Sequence, residues 1–83
     1  MTKAELKCAR VIADTAMYRI GEACLDMCGC DGIEEYIEYY RIYMYSCGIL
    51  YAVWRMGGLS DDDYLDRLNN ARECRRLALH EEE

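Results

Sequence analysis

Proline is absent from the 83-residue chain, and this constrains the fold more than any other feature of the sequence. Proline ends or kinks helices, so nothing of that kind interrupts a helix here. Glycine, the other residue that commonly ends helices, falls mostly in two clusters, Gly29 with Gly32 and Gly57 with Gly58. The chain therefore has two natural breaks, which divide it into three segments.

Each of the three segments begins with residues that cap helices. Thr2 and Glu5 fit a capping box, in which each side chain accepts a hydrogen bond from the other residue's backbone N–H. Asp31 and Glu34 offer the same pair of bonds to the second segment, and Ser60 precedes an acidic first turn in the third. The sequence therefore predicts an all-α fold, a small antiparallel three-helix bundle in a single domain, 1–83, with helices near 2–28, 33–56 and 60–80.

Apolar residues recur at the helical period of 3.6 residues, which gives the first helix a buried face. That face consists of Leu6, Ala9, Ile12, Ala13, Ala16, Met17, Ile20, Ala23, Cys24 and Met27. The second helix is amphipathic at its start and then carries no charge from Ile42 to Trp54. This run is too short to span about 30 Å of hydrocarbon, so it predicts a buried, central helix instead of a membrane span.

Two further apolar stripes lie away from these faces. Seven-residue spacing places on them Val11, Tyr18 and Leu25 of the first helix and Ile42, Ile49 and Met56 of the second. A single three-helix unit has too few neighbours to bury all of these side chains. We therefore expect a homodimer that covers them.

Charge and composition exclude several classes of protein. The formal charge of −6 opposes binding to phosphate backbones, because that affinity comes from Lys and Arg releasing counterions. Hydrophobic residues make up 53% and charged residues 31%, too apolar for a disordered chain and too charged for a membrane protein. Charged residues between Met1 and Arg19 interrupt the apolar core that a signal peptide needs. We expect a cytoplasmic protein with reduced thiols, without direct binding to nucleic acid or membrane.

Cys24, Cys28 and Cys30 form the densest cluster of potential metal ligands. Cys24 and Cys28 are one helical turn apart, and in an antiparallel bundle His80 returns to the same end as Cys28. These four residues offer thiolate and imidazole ligands suited to tetrahedral zinc. The spacing departs from the usual two-residue zinc knuckle, however, and helical cysteines often pack as small apolar residues. Packing is therefore the favoured interpretation, and zinc at Cys24, Cys28, Cys30 and His80 is the alternative.

The sequence shows no pattern typical of catalysis. His80 is the only histidine, and neither Ser46 nor Ser60 has an evident base partner. Phosphate-binding glycine loops are missing as well. The many carboxylates stand at helix starts, where such groups more often cap helices than transfer protons. We therefore expect a protein without enzyme activity.

Acidic residues and tyrosines cluster around the first break. The carboxylates Asp31, Glu34, Glu35 and Glu38 follow Asp26, and Glu81–Glu83 would return to the same end of an antiparallel bundle, making that end strongly negative. Tyrosines are common interface anchors when charged residues surround them. Those interleaved with the acidic residues are Tyr36, Tyr39, Tyr40 and Tyr43.

This pattern leads to our main functional hypothesis, a non-enzymatic protein-binding module or inhibitor. Its acidic, Tyr-rich helical surface would engage a basic protein, for example one with a nucleic-acid groove. An inhibitor or adaptor encoded by a phage or another mobile element would suit the size, the acidity and the lack of catalytic residues. Solvated helix caps and core tyrosines would explain the same residues without a partner. The alternatives are a metal- or thiol-binding module built on the cysteine cluster and a structural subunit of a larger assembly.

Overall fold

The computed structural model of the protein describes residues 1–79, which form three α-helices. Helix α1 spans Lys3–Gly29, α2 spans Ile33–Arg55 and α3 spans Asp61–Ala78. The predicted all-α, three-helix fold is confirmed, and each helix begins and ends within two residues of its expected position. His80 and the segment Glu81–Glu83 lie outside the described residues.

The helices alternate in direction along the bundle. Met56 at the end of α2 lines a groove with Met1 and Cys8, so α2 runs antiparallel to α1. The Tyr43 hydroxyl reaches the Ala71 carbonyl, while Trp54 near the end of α2 bonds to the start of α3, so α3 runs antiparallel to α2. The last turn of α3 therefore lies at the same end of the molecule as the first turn of α2.

The starts of α1 and α3 follow the capping patterns that the sequence predicts. At α1 the Glu5 N–H donates to Thr2 Oγ1 over 3.1 Å, and the Thr2 N–H donates to Glu5 Oε1 over 3.0 Å. These bonds hold the pKa of the Glu5 carboxyl below its ordinary value. At α3 the Asp63 N–H donates to Ser60 Oγ over 3.1 Å. Both caps satisfy backbone donors that have no partner within the helix.

The predicted capping box at Asp31 is wrong. Gly32 is the N-cap of α2, with φ −131° and ψ 155°, and no side chain bonds to the first turn. Asp31 lies one residue outside the helix and is exposed. Aspartate and glycine are both favoured at the N-cap, so the sequence did not separate a start after Asp31 from one after Gly32. Glu34 and Glu35 occupy the first turn, at the positive end of the helix dipole.

The second break is a tight turn fixed by backbone and aromatic contacts. Gly57 adopts φ +86°, and the Gly58 N–H donates to the Val53 carbonyl over 2.9 Å, which closes the end of α2. Trp54 Nε1 donates to Asp61 Oδ1 over 2.7 Å, and its ring stacks on Tyr64 with a centroid distance of 4.6 Å. These contacts tie the end of α2 to the start of α3.

The core is built from small residues of α1 and larger residues of α2. Helix α1 contributes more buried residues than α2 and α3 together within the described chain, and four of them are alanines. Alanine has no side chain beyond Cβ, so α2 can approach α1 closely. From α2 the buried apolar residues are Tyr43, Leu50 and Val53, and Ala71 completes the core from α3.

The expectation that α2 is buried on all sides after Ile42 is wrong. Met44, Tyr45 and Tyr51 each expose more than half of their surface, because α1 and α3 cover two sides of α2 and leave the third open. Leu6 and Ile12, assigned to the buried face of α1, are also exposed at its margins. Within residues 1–79, each helix is too short or too polar to cross a bilayer.

Candidate functional site

The acidic residues around the first break form a surface that we call the acidic edge. It extends from the last turn of α1 across the connecting loop into the first two turns of α2, and every member is exposed. Its members are Asp26, Asp31, Glu34, Glu35 and Glu38. Glu38 lies 3.9 Å from Arg41, with both side chains largely in solvent, so this pair adds little stability, and Arg41 offsets one of the five negative charges. Glu81–Glu83 lie outside the described residues.

Arginines of α3 limit how far this negative surface extends. Because α3 runs antiparallel to α2, Arg75 reaches Tyr40, and its Nη1 donates to the tyrosine hydroxyl over 3.3 Å. Arg72 and Arg76 line the same groove between α2 and α3. The expectation of one strongly negative end depends partly on Glu81–Glu83, which lie outside the described residues, and stays a prediction. Within residues 1–79, the carboxylates of α2 are exposed, and the arginines of α3 line the groove that faces α2.

The tyrosines predicted to bind a partner divide between core and surface. Tyr36, Tyr40 and Tyr43 form a ladder along α2, with successive ring centroids 5.9 Å apart. Tyr43 is 4% exposed, and its hydroxyl donates to the Ala71 carbonyl over 3.3 Å. Burial also raises its pKa above the ordinary value. Tyr43 is thus a core residue, and its assignment to a partner surface is wrong.

Tyr36, Tyr39 and Tyr40 are half-buried and pack against the core. Each therefore presents only part of its ring to a partner. The geometry arises because these residues lie on the sides of α2 that face α1 and α3, where they fill the space around Tyr43. The sequence identified the tyrosine-rich segment correctly, but not which rings face outward.

An exposed aromatic ring does adjoin the acidic edge, and it belongs to Tyr45, which is 69% exposed. Tyr45 follows Glu38 by seven residues, or two helical turns, so both lie on the same side of α2. We call this side the outer stripe of α2. It consists of Glu34, Glu38, Arg41, Tyr45, Gly48, Ala52 and Met56, all exposed and spaced by three or four residues, about one helical turn.

The signal for Tyr45 was present in the sequence as this seven-residue spacing. The spacing alone does not show that Tyr45 is exposed, because the uncharged run from Ile42 to Trp54 predicts burial on every side. A third helix packed on that side would have covered Tyr45, and no residue in the run is charged to indicate otherwise. The outer stripe thus combines two carboxylates and Arg41 at one end with aromatic and thioether groups at the other.

The cysteines predicted as metal ligands differ in their surroundings. Cys24 is buried, Cys28 is exposed, and Cys30 is half-buried with its Sγ donating to the Met27 carbonyl over 3.2 Å. Within residues 1–79, no three cysteine, histidine, aspartate or glutamate side chains are grouped to hold a metal ion. His80, the fourth proposed ligand, lies outside the described residues. All six cysteines are free thiols.

A different set of thiols meets in the bundle interior. Cys24, Cys47 and Cys74 come one from each helix and interact electrostatically. Burial raises the pKa of Cys24 to about 11, and the neighbouring Cys74 and Cys47 add to the effect. Burial likewise raises the pKa of Cys47. Protonated thiols are poor nucleophiles and poor metal ligands, so the surroundings of Cys24 and Cys47 favour packing.

Comparison of the chain with protein-family models finds no match, and no curated protein or solved structure matches it either. Inference about function therefore rests on the surfaces described above.

Proposed function

We propose that this protein is a non-enzymatic binding module that docks a basic protein through the outer stripe of α2 and the adjoining acidic edge. The observation that carries the proposal is the alignment of Glu34 and Glu38 with the exposed ring of Tyr45 on one side of a single helix. A partner with a groove for nucleic-acid phosphates offers the matching positive charge. Occupying that groove would make this protein an inhibitor.

The two parts of this surface would contribute to binding in different ways. Exposed carboxylates act over a distance of about 10 Å in dilute salt, so the acidic edge would steer a basic partner and raise its association rate. The Tyr45 ring offers a large apolar area with few rotatable bonds, so its burial would slow dissociation. Met56, about three turns further along the helix, extends the apolar contact.

Two further features belong to the same proposal. The free state of all six cysteines supports a reducing compartment, and we place the protein in the cytoplasm. Val11, Tyr18 and Leu25 each expose more than half of their surface, so α1 carries a further apolar stripe that a single three-helix unit leaves uncovered. Neither feature is required for docking through α2.

An affinity-capture experiment with three baits tests the docking surface. The baits are the wild-type chain, an α2 variant with Glu34→Lys, Glu35→Lys and Glu38→Lys, and an α3 control. The control carries Asp62→Lys, Asp66→Lys and Glu73→Lys, which change the net charge equally and also include a carboxylate of a first helical turn. Each reversal in a first turn costs about 0.3–1 kcal/mol of helix stability, so circular dichroism must show that both variants fold.

We expect one basic protein from source-cell lysate to bind the wild type and the α3 control and to be lost from the α2 variant. Quantitative mass spectrometry of the three eluates measures this difference. If the α2 variant and the α3 control retain the same proteins, binding depends on net charge or on another surface. The proposed role of the acidic edge would then be wrong.

A further inference from the structure

Helix α3 carries its charges in two blocks of opposite sign. Its first six residues include four aspartates, and its second half contains three of its four arginines. Arg67, the fourth, is held inside the molecule, because it forms ion pairs of 2.9 Å with both Asp14 of α1 and Asp63. In the second half, Arg76 is bonded to Glu73 of the same helix, so this half has three arginines and one glutamate. Helix α3 therefore has a negative start and a positive net charge at its end.

These charges and two leucines share one side of α3, which we call the α3 stripe. Successive members are separated by three or four residues, so they align along the helix. The stripe consists of Asp61, Leu65, Leu68, Arg72 and Arg76, with Asp62 beside Asp61. Leu65 at its middle is 53% exposed. Asp61 is tied to Trp54, which leaves Asp62 as the exposed carboxylate at this end.

Helix α2 widens the apolar middle of this surface. A groove of about 410 Å³ runs between the two helices, lined by Met44 and Cys47 from α2 and by Leu68 and Arg72 from α3. Met44, which lines this groove, and Tyr51, seven residues further along α2, each expose more than half of their surface. The surface is therefore apolar at the centre, acidic at one end and basic at the other.

We infer that the α3 stripe is the interface of a homodimer, in which two copies pair their α3 helices antiparallel about a two-fold axis near Leu68. In this arrangement Asp62 of each copy opposes Arg76 of the other, and Leu65 and Leu68 meet at the centre. The two-fold axis makes the contact between Asp62 of one copy and Arg76 of the other occur twice, so the surface is complementary to itself. A parallel pairing would instead place acid against acid and arginine against arginine.

Exposed apolar side chains provide the centre of such a dimer. Long apolar and aromatic side chains have on the order of 200 Å² each, so Met44, Tyr51 and Leu65, each about half exposed, provide on the order of 300 Å². A specific interface buries roughly 800 Å² on each partner. The charged ends of the stripe, where Asp62 and Arg72 are exposed, have to supply the rest of that area.

This dimer is independent of the proposed function, because the two surfaces lie on different sides of α2. Tyr45 of the outer stripe is the residue after Met44 and therefore points about 100° away around the helix. Pairing through α3 leaves both outer stripes exposed.

Charge reversal in the full-length chain tests the interface. Arg76→Glu places like charges at both contacts of a homodimer, and so does Asp62→Arg. When the two variants are mixed, the heterodimer again has opposite charges at both contacts. Arg10→Glu and Glu22→Arg, at exposed positions of α1, are the controls with matched changes in net charge.

Sedimentation equilibrium at concentrations up to about 100 µM measures the dimer dissociation constant. We expect each α3 variant to weaken the dimer about tenfold or more, the equimolar mixture to restore it, and the α1 controls to keep the wild-type constant. Leu65→Lys should also weaken it, independently of the charge pairs.

A wild-type chain that stays monomeric throughout this range would overturn the inference. So would α3 variants that dimerise like the wild type, or a mixture of the two variants that remains as weak as each alone.

Discussion

At the scale of single residues, two buried hydroxyl groups in the core, those of Ser46 and Tyr43, differ in how they affect the stability of the fold. Ser46 is fully buried on the face of α2 that carries Leu50 and Val53, and among the described residues its Oγ has no hydrogen-bond partner. Burial of an unpaired hydroxyl costs free energy. Tyr43, by contrast, is buried with its hydroxyl bonded to the Ala71 carbonyl. The small volume of serine suits the tight packing, but its hydroxyl does not stabilise the fold.

We predict that Ser46→Ala raises the free energy of unfolding by about 1 kcal/mol, because it removes an unsatisfied hydroxyl and leaves almost the same volume. Ser60→Ala is the matched control and should lower it by about 1 kcal/mol, because Ser60 caps α3. Urea denaturation of the two variants measures both changes. A loss of stability in Ser46→Ala would indicate that the hydroxyl has a partner in solution.

The raised pKa of Cys24 predicts a loss of stability at alkaline pH. The folded state holds the thiol proton more tightly than the unfolded state, whose pKa stays near the ordinary value of about 9. The stabilisation is therefore complete below pH 9 and is lost as pH rises through about 11. Cys47 and Tyr43, whose pKa values are also raised by burial, act in the same direction.

Urea midpoints measured between pH 8 and pH 11 test this dependence. We expect a smaller decrease in Cys24→Ala than in the wild type, since part of the proton linkage is gone. Val53→Ala truncates a core side chain that does not titrate, so its midpoint should fall with pH as in the wild type. Equal decreases in all three proteins would show that Cys24 does not carry the effect.

At the scale of helices, the sequence predicts where each helix begins and ends, because these positions depend on residues that are neighbours along the chain. The capping residues Thr2 and Ser60 and the breaks near Gly29 and Gly57 are local signals, and they define the three helices closely. Which side of α2 is covered depends on where α1 and α3 pack. Tyr43 and Tyr45 are chemically identical and two residues apart, yet one is core and the other surface. Periodicity did not separate them because the run from Ile42 to Trp54 has no charged side.

We predict opposite effects on stability when a methyl group is added at Gly58, in the turn between α2 and α3, and at Gly48, inside α2. A Cβ at Gly58 would lie 2.7 Å from Ala9 Cβ and 2.8 Å from Val53 Cγ1, so the helices would have to move apart. A Cβ at Gly48, inside α2, would meet no atom within 4 Å. We expect Gly58→Ala to lower the free energy of unfolding by about 1–3 kcal/mol and Gly48→Ala to raise it by about 1 kcal/mol.

Urea denaturation of these two variants gives a direct comparison, because each adds one methyl group. If Gly58→Ala is as stable as the wild type, the end of α2 does not pack on Ala9 as closely as described. If Gly48→Ala is destabilised, other atoms must lie near this position, and the side of α2 at Gly48 is not open.

At the scale of the whole molecule, negative charge, positive charge and apolar side chains lie on different sides of the bundle. The acidic edge follows from the sequence, since its residues are close along the chain, in the last turn of α1, the loop and the first two turns of α2. The opposing arginines of α3 depend on the antiparallel return of the chain. Arg75 contacts Tyr40 because of that return, although 35 residues separate them. The sequence therefore indicates the negative charge but not its limits.

Tyr45 should be the aromatic residue that slows dissociation from the partner. Tyr45→Ala removes a largely exposed ring, so the fold should be unaffected while dissociation becomes roughly 30-fold faster, about 2 kcal/mol. Tyr18→Ala, which removes an equally exposed ring from α1, is the control and should dissociate at the wild-type rate. Surface plasmon resonance with the captured partner measures both. Equal dissociation rates for the two variants would remove Tyr45 from the binding surface.

The dependence of the association rate on salt tests most directly whether the acidic edge docks a basic protein. The measurement compares the wild type with the folded variant Glu34→Lys, Glu35→Lys and Glu38→Lys against the captured partner, from low to physiological ionic strength. We predict that the variant associates about tenfold or more slowly at low salt and that its rate changes little as salt is added, because the steering charges are reversed. An association rate and a salt dependence equal to those of the wild type would contradict a docking role for this surface.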